Sequence, residues 1–178
     1  VRGMNVTLQD RELKFITPAL ERAKAFFEKR SADQTDLHEV PARLPPAVDG
    51  NGAANADVII EAIFENAEAK RELYAKLEPK MQPGAILGTN TSSIMLETLA
   101  TGLADSGRLV GLHFFNPVRY MRLLEVAPGP ETRPELVARM AAFGEWLGKG
   151  IVYAKDTANV VANRIGVYSL MFTMRSMI

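Results

Sequence analysis

His113 stands in "GLHFFNP" (111–117), between Leu112 and Phe114. A titratable ring in that company is either a hydrogen-bonded core residue or a group placed to move a proton in a dry site. Glu125 follows in "RLLEVAPG". Both lie near the ends of apolar, strand-like runs, with a turn at 116–120 between them. If the two strands are neighbours, the side chains can meet. A buried carboxylate accepting from one imidazole nitrogen fixes the tautomer and makes the other nitrogen a better base near neutral pH. Such a pair suits taking a proton from a hydroxyl as hydride leaves the same carbon. A purely structural pair remains the alternative. What favours chemistry is the convergence of Asp10, Glu65, Ser92, His113 and Glu125 at one expected edge of one sheet.

Three other stretches could serve a ligand. Asp10 ends "MNVTLQD" (4–10), which alternates apolar and polar residues as a strand does. In dinucleotide-binding α/β folds, an acid at the end of the second strand hydrogen-bonds ribose hydroxyls. Asp10 could equally cap the helix that follows. In "EAIFENAEAK" (61–70), Glu61 and Glu65 stand close to the end of an apolar strand. A carboxylate there could hold a ribose or a nicotinamide-side hydroxyl, or Glu65 and Lys70 could be the solvated start of a helix. "TNTSS" (89–93) places Asn90, Ser92 and Ser93 in a row of small hydrogen-bonding side chains. Such residues bind a carbonyl or carboxamide, and Ser92 or Ser93 could also cap the next helix.

The whole chain bounds the function. It has 178 residues, enough for one medium domain or one domain and the start of another. Lys+Arg and Asp+Glu are both 21, so the net charge is zero and nothing points to nucleic acid or an anionic membrane. There is no cysteine, which excludes disulfides and thiolate metal sites. With only two histidines, no metal site is expected. No apolar run is long enough for a membrane span.

The elements that must position these residues alternate. After the strand at 4–10, "LKFITPALERAKAFFEKR" (13–30) reads as an amphipathic helix, with Pro18 near its first turn. Residues 31–56 lose periodicity and read as loop, weak helix or short strand. Strands are expected at 57–63, in "GAIL", and at 108–115, 123–129 and 150–156. Helices are expected at 66–81, 94–104 and 133–149, the last with Pro134 near its start. The chain ends in an apolar helix. Strand–helix alternation marks an α/β fold with a mostly parallel sheet.

Together, "DVIIEAIFENAEAK", "GAILGTNTSS", "GLHFFNPV", "LLEV" and "KDTANVVANR" resemble the NAD-binding part of the L-3-hydroxyacyl-CoA dehydrogenases. They also look like the dehydrogenase portion of multifunctional fatty-acid oxidation proteins. The resemblance implies a Rossmann-type sheet over 1–154, incomplete at its start because the Gly-rich phosphate loop would lie before Val1. Residues 155–178 would begin an all-α C-terminal domain, through which the family usually dimerises. His113 would be the catalytic base or acid and Glu125 its orienting partner. Ser92 and Asn116 would contact substrate or position the histidine, and Asn163 would come from the start of the helical domain. Asp10, Glu65, Lys70, Asn90, Ser92 and Asn116 would face the cofactor. That cofactor would be NAD, which Asp10 favours over NADP. The reaction would be oxidation of the 3-hydroxyl of an acyl-CoA, in fatty-acid β-oxidation. A bacterial cytoplasmic location is expected, with an organelle left open. "KDTANVVANR" departs from the small-residue Pro-Gly-Phe stretch usual before the asparagine. The chain reads as an internal fragment of a longer enzyme, expected to bind NAD poorly alone. A catalytically incompetent module of the same fold is the alternative. The last helix should be covered by a further domain or a second copy, or else fold back on the sheet.

Overall fold

The computed structural model describes residues 3–29, 42–158 and 161–176. The chain divides into two compact units, one up to Ala56 and one from Asp57 onward.

In the first unit, strand β1 is short, Leu8–Gln9, and pairs in parallel with β2, Pro46–Ala47. The expected alternation holds beyond the strand itself: Met4, Val6 and Leu8 are half-buried while Asn5, Thr7 and Gln9 are exposed. Helix α1 runs Leu13–Glu28, with Pro18 inside rather than in the first turn. The expected loop at 31–56 is described only from Ala42 on.

The second unit holds a five-stranded sheet in the order β3-β4-β5-β6-β7. Its strands are β3 Val58–Glu61, β4 Ile86–Thr89, β5 Leu109–Phe114, β6 Leu123–Pro128 and β7 Gly150–Tyr153. The β3–β4, β4–β5 and β6–β7 pairings are parallel, and β5–β6 is antiparallel. The helices are α2 Ala67–Leu77, α3 Leu96–Ala100, α4 Pro134–Trp146 and α5 Val161–Ser176. No described strand pairs with both sheets, so Asp10 and His113 do not share one sheet as expected. In the doubly wound order, strand 1 joins the pair formed by strands 2 and 3 to strand 4, and no described strand takes that role here.

Residues alternate between the two faces of each strand. On one face, Ile86, Val110, Leu112, Leu124 and Val126 are fully buried with Leu136 and Met140 of α4. Gly88 makes room for this layer, since a Cβ there would stand 2.5 Å from Leu112 Cδ1. The alternate residues Gly111, His113, Glu125 and Ala127 occupy the opposite face. Helix α3 lies over that face, with Leu96 Cδ1 only 3.3 Å from where a Gly111 Cβ would stand.

Helix α5 has no buried residue, and Ile165, Tyr168, Leu170, Met171 and Phe172 are each more than half exposed. It does not fold back on the sheet. Among the described residues, no helix is long and apolar enough to cross a membrane.

Leu112→Ala should destabilise the protein by about 2–5 kcal/mol, the range for emptying a fully buried leucine site. Urea unfolding measures it, and a loss well under ~1 kcal/mol would mean that this layer is not the core.

Candidate functional site

The antiparallel register sets Glu125 directly opposite His113. Directly opposed residues lie on one face of the sheet and can touch. The imidazole Nδ1 is 2.8 Å from Glu125 Oε2. His113 is 7% exposed and Glu125 1%, so the pair is screened from water. The Phe115 ring stands edge-on to the imidazole, with centroids 4.4 Å apart. A carboxylate acceptor makes Nδ1 the protonated nitrogen in the neutral ring. Nε2 has no hydrogen bond among the described residues and is left as the acceptor.

The second oxygen of Glu125 is also taken. Oε1 accepts the backbone N–H of Ala162 at 2.8 Å. One carboxylate thus holds the imidazole and the first turn of α5, where half-buried Asn163 is the next residue. A narrow recess opens at His113, lined by Ser92, Gly111, Ala127, Lys155 and Asp156 among others.

Two loops at the carboxyl ends of β3 and β4 build the adjoining wall. Glu65 Oε1 accepts the Thr91 hydroxyl at 2.6 Å, then the Ser92 N–H, the Ser93 N–H and the Ser93 hydroxyl, each at 2.9 Å. Burial alone would raise the Glu65 carboxyl, but these hydrogen bonds pull it down from 4.5 to about 2. Asn90 ties β4 to β5, accepting the Phe114 N–H on Oδ1 at 2.8 Å. Asn116, at a cis bond to Pro117, is exposed in the turn after β5.

Lys70 is not at a solvated helix start. It is 1% exposed, donates to Glu61 Oε1 at 2.7 Å, and stands 3.5 Å from Glu65 Oε2. Its ammonium reaches a ligand only through those carboxylates. Glu61 is also buried and accepts from Tyr74 and Thr89 at 2.7 and 2.8 Å. Burial and then the Glu61 charge push the Tyr74 phenol well up, so it remains a donor.

Neither serine caps α3. Asp156 does so from the far side of the recess, accepting Leu96 N–H at 2.8 Å and Glu97 N–H at 3.2 Å. Sequence reasoning placed Asp156 only at a strand end, because its partners lie 60 residues away. Asp10 lies in the first unit, exposed at the end of β1. It does not cap α1: the N-cap residue is Glu12, and Asp10 Oδ1 accepts the Arg11 N–H at 2.7 Å.

The structure therefore brings together Glu65, Lys70, Ser92, His113 and Glu125, with Asn90 and the start of α5 adjoining, while Asn116 stays exposed in the turn after β5. Asp10 belongs to the other unit. Among the described residues, no group of His, Asp and Glu could hold a metal ion.

Residues 1–157 match the family described as "3-hydroxyacyl-CoA dehydrogenase, NAD binding domain". A probable 3-hydroxyacyl-CoA dehydrogenase of Bacillus subtilis is 44% identical over 133 residues, which is 73% of this chain and 17% of that protein. The solved structure of FadB2 from M. tuberculosis superposes with a TM-score of 0.90 at 28% identity, covering 98% of this chain and 63% of that one. That of 3-hydroxybutyryl-CoA dehydrogenase from Escherichia coli K12 gives 0.81 at 33% identity, covering 89% and 34%. The chain spans 17% of the Bacillus subtilis protein's length and 39% of that of a Caenorhabditis elegans relative.

A carboxyl whose folded value lies below its unfolded one stabilises the fold above the unfolded value. That contribution is lost as pH falls through the folded value. Glu65→Gln should therefore be less stable than the parent at pH 6. The gap should narrow as pH drops from 4.5 towards 2. Denaturant unfolding of both across that window decides it, and a gap independent of pH would contradict the assignment.

Proposed function

The chain belongs to the 3-hydroxyacyl-CoA dehydrogenase family through its NAD-binding domain, and from that premise we propose that its site interconverts an L-3-hydroxyacyl-CoA and the 3-ketoacyl-CoA. The observation that carries the reading is the buried His113–Glu125 pair, 2.8 Å apart, at a recess shared with Ser92.

NAD, when bound, supplies the hydride acceptor. In the oxidising direction, the 3-hydroxyl proton passes to His113 Nε2 as hydride leaves C3 and the carbonyl forms. Glu125 holds Nδ1–H, keeps Nε2 bare, and stabilises the imidazolium that results. Phe115 and the depth of the site keep water from the ring. The Ser92 hydroxyl and the exposed Asn116 amide are suited to hold the substrate's oxygens, and Asn163 enters from α5.

The residues also fit the dinucleotide. Glu65 Oε2 has no partner nearer than Lys70 at 3.5 Å, and the Glu65 side chain is 33% exposed, so it can accept a ribose or nicotinamide-side hydroxyl. Lys70 supports it from beneath. Asn90 sets the end of β4 on the same side. Asp10 carries an exposed carboxylate at the end of β1, where such folds bind the adenine-side ribose. The reading places residues 1–154 as the nucleotide-binding domain and 155–178 as the beginning of a helical domain through which copies associate. It includes a role in fatty-acid β-oxidation, in the bacterial cytoplasm or in an organelle.

Acetoacetyl-CoA-dependent NADH oxidation by the full-length protein near pH 7 tests it, beside His113→Gln. The parent should turn over. The variant should lose about a hundred- to ten-thousand-fold in kcat, the usual scale for removing a general acid or base. An inactive parent would leave a non-catalytic module of this fold.

A further inference from the structure

Ser92 lines the recess at His113, and its hydroxyl makes no hydrogen bond among the described residues. Its aim is therefore set by the backbone that carries it. That backbone is pinned at two points. On one side the Ser92 N–H donates to Glu65 Oε1 at 2.9 Å. On the other, α3 begins at Leu96, and its start is fastened from across the recess.

The sequence gives α3 no cap of its own. Its N-cap residue is Met95, whose side chain makes no capping hydrogen bond. The helix is five residues long, too short to hold itself. Two of its open N–H groups, those of Leu96 and Glu97, go to Asp156 Oδ1 and Oδ2 at 2.8 and 3.2 Å. A carboxylate suits such groups, which carry the positive end of the helix dipole. Asp156 is itself tied to the sheet. Two residues before it, the Ala154 N–H donates to the Val126 carbonyl at 3.0 Å. Val126 stands on β6 next to Glu125, the carboxylate that holds His113. The loop carrying Ser92 and the imidazole are thus both registered to one strand. Both Asp156 oxygens are on backbone N–H groups, so Asp156 acts on the site through α3.

We infer that Asp156 is a positioning residue for the reaction: by fastening the start of α3 to the link after β7, it sets the Ser92 hydroxyl beside His113, where a substrate oxygen must lie. The inference rests on the reading that Ser92 and His113 share a 3-hydroxyacyl-CoA. Without the clamp, the end of the loop shifts and the Ser92 hydroxyl, which has no bond of its own, loses its aim. Small misplacements at a reacting centre are expensive in rate.

The test is a double-mutant cycle on the full-length protein, read as kcat/KM for acetoacetyl-CoA at saturating NADH. Ser92→Ala should lower it about tenfold, the loss of one hydrogen bond. Asp156→Ala should lower it by about the same factor. The two together should lose no more than about twofold beyond Ser92→Ala, since no hydroxyl is left to misplace. A merely structural role unfolds part of the enzyme and lowers activity by one factor in both backgrounds. Asp156→Asn keeps an oxygen for the Leu96 N–H and should lose less than Asp156→Ala. If Asp156→Ala does not fold, Asp156→Asn takes its place in the cycle, and its smaller loss must vanish in the Ser92→Ala background. An active parent with independent losses, or with unchanged kcat/KM in Ser92→Ala or in the Asp156 variant of the cycle, overturns the inference and leaves the role of His113 standing. A parent that does not turn over acetoacetyl-CoA sinks the catalytic reading and the inference with it.

Discussion

The antiparallel pairing of β5 with β6 is the constraint on which the site depends. It alone brings His113 and Glu125, from different segments, to 2.8 Å in a dry environment. The register is held by the residues between them. Leu112, Leu124 and Val126 point to the opposite face and are buried under α4. A slip of one residue would send Glu125 into that apolar layer and expose the leucines, because strand side chains alternate. The core thus fixes the geometry of the pair, and a catalytic spacing is secured by hydrophobic burial.

The strand ends follow a second logic, that of sharing charge. Two carboxylates, Glu61 and Glu65, flank one buried ammonium, Lys70. Four donors of the 91–93 segment converge on a single oxygen of Glu65, which orders the loop beside His113. Asp156 fastens α3 from across the recess, and Glu125 fastens the start of α5. Each wall of the site is tied to another wall by a carboxylate on backbone N–H groups. These are charge-assisted bonds, stronger than neutral ones. Around this site, Glu65, Glu125 and Asp156 serve as clamps.

Much of this was legible in the sequence, and the reason lies in periodicity. Strand and helix patterns located every strand and α-helix described in the second unit; most bury one face against the same core, while α5, with no buried residue, was legible from its apolar run alone. The His113–Glu125 pair was legible because both residues interrupt apolar strand runs. Less was legible where the partners are remote. For Lys70 a solvated helix start and a cofactor-side role both stayed open, since nothing local shows that Glu61, nine residues back, lies beneath it. The cap of α3 was sought in Ser92 and Ser93 and found in Asp156. The strand at 4–10 shrank to Leu8–Gln9, because only β2 pairs with it. Asp10 proved to be no cap, which leaves its carboxylate exposed at the strand end.

The central claim is that Glu125 fixes the tautomer of His113. Long-range correlation of ring protons with ¹⁵N in the full-length protein reads this directly, with the His113 signals identified by their loss in His113→Gln. The neutral His113 ring should carry its proton on Nδ1 and leave Nε2 bare, and Glu125→Gln should disturb that preference. A ring protonated on Nε2 would mean that His113 faces the recess as a donor. The pair would then be structural, and the account of proton transfer would fail.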